Sequence, residues 1–153
     1  MCLPILTETA LMSDPVTART VLRELEALGC EISIDDFGTG YSSLAYLADL
    51  PVSEVKIDRS FVSRMSAGSS EKVIVNSTID LAHHLGLRAV AEGVEDWSML
   101  PELEALGCDA AQGYAISHPL AGPDVTRWML DFRSTSGVER AVAASPVRIG
   151  QAA

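Results

Sequence analysis

Residues 30–40 read Cys30-Glu31-Ile32-Ser33-Ile34-Asp35-Asp36-Phe37-Gly38-Thr39-Gly40. Alternating β-branched residues from Cys30 to Ile34 predict a strand. The strand ends in two adjacent acids, and a glycine-containing loop follows. Upstream, Ser13-Asp14-Pro15 opens a helix with a polar cap, an acid at its positive end and an early proline. That helix carries Val21, Leu22, Leu25 and Leu28 and stops at Gly29. Helix, glycine stop, strand and acidic strand end follow one another here, and strands and helices go on alternating along the chain.

Tyr41 to Leu50 reads as a short helix closed by Pro51. Val55-Lys56-Ile57 is a strand ending at Asp58. Ser70 to Leu85 is a helix with Val73, Ile74, Ile79 and Leu81 available for its buried side. Leu87 to Ala91 is a strand ending in Glu92. Asp96 to Leu106 is a helix, Cys108 to Gln112 a strand, and Asp124 to Phe132 a last helix begun by Pro123. The segment Glu24-Leu25-Glu26-Ala27-Leu28-Gly29-Cys30 recurs as Glu102-Leu103-Glu104-Ala105-Leu106-Gly107-Cys108, marking two equivalent helix-to-strand joints. Alternating strands and helices with short links predict parallel strands with right-handed crossovers. Asp35, Asp36, Lys56, Glu92 and Gln112 all fall at or near strand C-termini. Both a (β/α) barrel and an open doubly wound sheet build their sites there, and the pattern alone does not separate the two.

The 153 residues are enough for one domain with a core, and 48% hydrophobic content excludes a disordered chain. With 21 acidic and 11 basic residues the net charge is -10. Such a surface repels phosphate backbones, so duplex nucleic acid is not an expected partner. An anionic substrate would need cations or a local basic residue. Cys2, Cys30 and Cys108 form no metal or disulfide spacing and read as small thiols in a reducing cytosol. No apolar run reaches the roughly 20 residues of a membrane span, and Met1 to Leu11 has no basic n-region. The expectation is a cytoplasmic chain with no membrane partner. Residues 1–133 read as the domain, and the tail beyond, rich in Ser, Ala and Gly, as disordered.

Four segments together resemble the EAL domain family. Ile34 to Leu44 resembles its DDFGTGYSSL loop, Lys56 to Val62 its KIDRSFV segment, Ala91 to Glu95 its AEGVE, and Gln112-Gly113-Tyr114 with Pro119-Leu120 its QGY…PL signature. The match spans roughly residues 3 to 132, in the family's order and spacing. The resemblance implies an α/β fold: a partial (β/α)8 TIM-type barrel, roughly the last five βα units of an EAL domain. The family barrel has one strand running against the others. The implied activity is metal-dependent hydrolysis of cyclic di-GMP to the linear dinucleotide, with two Mg or Mn ions. Asp35, Asp36 and Glu92 match metal ligands, and Lys56 the lysine that contacts the attacking water. Glu95 matches a further catalytic position. Gln112, Glu8, Gly38, Thr39 and Gly40 match substrate-binding or supporting positions.

Two departures stand beside the match. Three family strands precede the segment aligned with Leu3 to Thr9, and they carry the Glu of the EAL signature and an Asn, both metal ligands. Within that aligned segment Ile5 stands where the family has another ligand glutamate. Glu8 matches the second glutamate, which steadies the DDFGTG loop. Weak or absent hydrolysis by this chain alone is therefore expected. The alternatives are an inactive module that binds the nucleotide or a partner protein, a homodimer formed through open sheet edges, or a gene fragment. Glu26-Ala27-Leu28 and Glu104-Ala105-Leu106 spell EAL but lie at helix ends. His83-His84 diverge on a helix, so a shared metal is not expected.

Two acidic side chains in succession fit oxygen-loving divalent ions. In a regular strand they would face opposite sides, and the following Gly38 and Gly40 are expected to let the chain turn both toward the rim. The plainer reading of the pair is a solvated turn or helix cap.

Overall fold

The computed structural model describes residues 4–7, 14–38, 47–66 and 68–134. Five strands form one sheet: β1 (Ile5–Thr7), β2 (Ser33–Phe37), β3 (Glu54–Ile57), β4 (Arg88–Ala91) and β5 (Ala110–Ala111). The helices are α1 (Pro15–Ala27), α2 (Arg59–Val62), α3 (Ser70–His84), α4 (Leu100–Ala105) and α5 (Gly122–Ser134), with a 3-10 turn over Trp97–Met99. The expected helix over 41–50 and the tail beyond Ser134 fall mostly or wholly outside the described residues, as do Glu8, Thr39 and Gly40.

The strand order is β1-β2-β3-β4-β5, and all four pairings are parallel. Each strand adds beside its predecessor on the same side. A doubly wound sheet would reverse direction at a switch point. An unreversed order, with crossovers of one hand, puts every helix on one face and is the arrangement of a barrel wall. The observed sheet is thus a partial barrel, which decides the question that sequence pattern left open.

One face of the sheet meets the helices. Leu6, Ile34, Val55, Ile57, Ala89, Ala91 and Ala111 pack there against Leu22 of α1, Val62 of α2, Val75, Ile79 and Ala82 of α3, and Leu103 of α4. The opposite face carries Ser33, Asp35, Glu54, Lys56, Arg88 and Val90, by strand alternation and register. The fold thus confines its apolar core to the helix side and turns its charge toward the barrel interior.

Three expectations need correction. Asp14, not Ser13, caps α1, its side chain accepting the Thr17 N–H at 3.2 Å. Val21 of α1 and Leu28 just after it are exposed, Leu22 is buried, and Leu25 packs partly buried against the core. In α3, Val73 is 63% exposed and Ile74 is also exposed; Leu81 packs partly buried against the core, Ile79 is buried as expected, and Val75, Thr78 and Ala82 are buried with Ile79. Those four follow the i, i+3, i+4, i+7 stripe of a single helix face. Cys108 is the core thiol expected, 3% exposed, and burial pushes its pKa up to about 11. His83 turns to Asp109 and His84 to the Asp80 carbonyl, so the pair shares no site.

Candidate metal centre

The Asp pair lies inside β2 rather than beyond its end. Ile34 pairs with Val55 and Phe37 with Ile57, so Asp35 and Asp36 together oppose Lys56. Two residues facing one is a β-bulge, which kinks a strand and re-aims side chains. Asp36 takes a left-handed backbone, φ 56°, the only positive φ outside glycine among the described residues. Asp tolerates that region better than most residues because its short side chain bonds locally. The bulge therefore brings both carboxylates to one side, a task the sequence reading gave to the glycines that follow. Asp35 also accepts the Asp36 N–H at 3.1 Å.

Lys56 stands across from the bulge on β3, with 8% of its side chain exposed. Its Nζ donates to Glu92 Oε1 at 2.6 Å and lies 3.9 Å from Asp35 Oδ1. Glu92 follows β4, and its N–H donates to the Ile57 carbonyl at 3.2 Å, tying it to the end of β3. Asp35, Asp36 and Glu92 can each offer an oxygen within 4.8 Å of the others. Three strand ends, β2, β3 and β4, thus converge on one cluster.

Electrostatics mark this cluster as unfavourable to itself. Burial raises the Glu92 pKa; Lys56 pulls it down and Asp35 pushes it up again. Burial also raises the Asp36 pKa, with Asp35 and Asp58 adding to the rise. Close carboxylates with too little cationic charge hold protons more tightly than free acids do. An all-oxygen donor set of this kind suits a hard divalent ion.

Two glycines fix the loops beside it. A Cβ on Gly113 would lie 2.2 Å from the Val94 carbonyl oxygen, and one on Gly93 would lie 2.4 Å from the Arg59 Cβ. The Val94 N–H donates to the Gln112 carbonyl and the Gln112 N–H to the Ala91 carbonyl, lacing the two loops together. The Gln112 and Glu95 side chains are exposed, and neither belongs to the three-carboxylate cluster. Gly38 continues the turn at φ 96°.

Asp58 follows β3 at its end. It caps α2, accepting the Ser60 N–H at 2.9 Å, and its carboxyl also interacts with Asp36. Its place two residues after Lys56, at a strand end, was the available signal.

The sequence matches the EAL domain family over residues 5–119. The chain belongs to the EAL domain family. Among EAL-containing relatives, MucR of Pseudomonas aeruginosa, a bifunctional diguanylate cyclase and cyclic di-GMP phosphodiesterase, is 45% identical over 114 residues. Those residues are 74% of this chain and 17% of MucR. The solved EAL structure of the PaMucR phosphodiesterase in complex with cyclic di-GMP superposes with a TM-score of 0.77 at 41% identity. That match covers 80% of this chain and 55% of the solved one. The Klebsiella pneumoniae BlrP1 complex with calcium and cyclic di-GMP gives a TM-score of 0.70 at 33% identity, over 76% of this chain and 30% of BlrP1. This EAL chain therefore spans about half of the solved MucR domain and under a fifth of the whole MucR protein. Among the described residues no helix is long and apolar enough to cross a membrane.

Proposed function

We propose that this chain supplies the metal-binding rim of a cyclic di-GMP phosphodiesterase barrel. The carrying observation is the convergence of Asp35, Asp36 and Glu92 around Lys56. Asp35, Asp36 and Glu92 are the residues that would hold Mg or Mn ions. Bound there, divalent ions neutralise a phosphodiester and lower the pKa of a water. Lys56 would orient that water or the phosphate through its ammonium. Glu95 and Gln112, on the loops beside the cluster, are assigned to the nucleotide, as are Gly38, Thr39 and Gly40; Glu8 is assigned to steadying the bulged loop. Relatives of known structure that bind cyclic di-GMP, one of them with calcium, support the substrate and the ion class.

Ile5 argues that the chain by itself is a poor catalyst. It sits on β1 beside Ser33, on the interior face, where it offers no oxygen to a cation. The same residue favours a second reading, a module that binds cyclic di-GMP without cleaving it. A homodimer or partner protein meeting the exposed β1 edge belongs to that second reading, and light scattering would report it.

The test is to titrate the purified chain with Mn by calorimetry and then follow linear dinucleotide formation by chromatography. Metal binding with little or no turnover is expected. Ile5→Glu adds a carboxylate to the interior face and should tighten Mn binding about tenfold, roughly 1.4 kcal/mol. Turnover by the unaltered chain at about 10 per second, an ordinary enzyme rate, would overturn the impairment. Absence of any metal binding would overturn the site itself.

A further inference from the structure

We propose that Lys56 is the internal counter-ion of the carboxylate cluster, and that a divalent ion binds by displacing its ammonium. This rests on the metal reading above and adds a step to it. The ammonium is almost fully buried, touches Glu92 at 2.6 Å and approaches Asp35 at 3.9 Å. An ion bound to Asp35, Asp36 and Glu92 would draw on the two carboxylates that Lys56 now approaches and on Asp36, which opposes it across the bulge.

Two cations a few ångströms apart in a half-buried site repel strongly, because the low local dielectric screens them little. A divalent ion on Glu92 competes with the ammonium for the same carboxylate. A divalent ion also brings two positive charges to these three carboxylates where the ammonium brings one. Lysine suits a removable plug. Its ammonium is a point charge on a flexible four-carbon stem, whereas arginine would grip carboxylates with a fixed two-pronged fork. The β2 bulge sets two carboxylates opposite this one residue, so the plug and the ligands are matched by strand register. Displacement would leave the ammonium beside the rim, able to hydrogen-bond a water or a phosphate oxygen.

The sequence provides its own control, because it contains just two lysines, Lys56 and Lys72. Lys72 pairs with Glu102 at 2.6 Å, away from the cluster. The full chain, labelled with 15N-lysine and stripped of metal, would be titrated with Mg by NMR and, in parallel, by calorimetry. The Lys56 Nζ resonance is expected to move with the calorimetric midpoint while Lys72 stays fixed. Lys56→Met should bind Mg on the order of tenfold more tightly than the unaltered chain; Lys56→Arg, which keeps a competing cation, should show no gain. Mg binding with an unmoved Lys56 resonance would overturn the displacement and leave the metal site standing. Equal Mg affinity in Lys56→Met and the unaltered chain would do the same. If neither protein binds Mg, the metal reading fails, and the displacement with it.

Discussion

The interior face of the sheet carries two clusters built from the same kinds of residue. At its N-terminal end Arg88 donates to Glu31 and Glu54, each at 3.0 Å, one cation for two carboxylates. At its C-terminal end Lys56 faces Asp35, Asp36 and Glu92, one cation for three among the described residues. The first pairs its acids through a bidentate-capable guanidinium and joins β4 to β3 and to the segment before β2. In the second, burial and mutual repulsion raise the pKa of Asp36 and of Glu92. In barrels of this type the N-terminal face serves stability and the C-terminal face serves chemistry. The two clusters divide the same way: one is electrostatically settled, the other is held together by the fold against its own repulsion.

Breaking the settled cluster should have the largest effect on stability. Arg88→Ala leaves Glu54, whose side chain is 8% exposed, without its cation. A loss of about 2 kcal/mol is expected, read as a lower midpoint in urea with metal binding unchanged. The strained cluster should respond in the opposite sense. Asp36→Asn removes one of the crowded charges, and asparagine also tolerates the left-handed backbone. The metal-free chain should show a higher urea midpoint at neutral pH, while Mn affinity falls.

The pH dependence sharpens the same contrast. A carboxyl whose folded pKa is raised favours folding while protonated. Its contribution is complete below the unfolded value, 3.8 for Asp36 and 4.5 for Glu92, and is lost as pH rises through the higher folded value. Asp14 and Asp96, lowered by hydrogen bonds from Thr17 and Ser98, act the other way and lose their contribution on acidification. Denaturation of the metal-free chain at stepped pH should therefore show a smaller decline above pH 4 in Asp36→Asn than in the unaltered chain. The smallest effect is expected for Ser33→Ala. The Ser33 hydroxyl is fully buried and has no hydrogen-bond partner among the described residues, so its removal should leave stability within about 0.5 kcal/mol or raise it slightly.

These clusters were unequally legible in the sequence. The rim acids and Lys56 announced themselves because each ends a short apolar strand, a signal carried within a few residues. The bulge did not, because it is a relation between β2 and β3, and no feature of Asp35-Asp36 alone says that both oppose one residue. The Arg88 clamp joins residues 57 and 34 positions apart and has no local mark. The buried face of α3 was misread because Thr78 and Ala82 are weakly apolar, so Val73 and Ile74 outweighed the true stripe by residue type. Strand order is likewise a property of the assembled sheet. It decided between barrel and open sheet, where strand-end acids could not.

That order has a consequence for how the chain acquires its shape. Because every strand lies beside the one made just before it, a nascent chain leaving the ribosome meets each new partner already in place. Folding can advance as a growing front from β1 onward, one strand and one helix at a time.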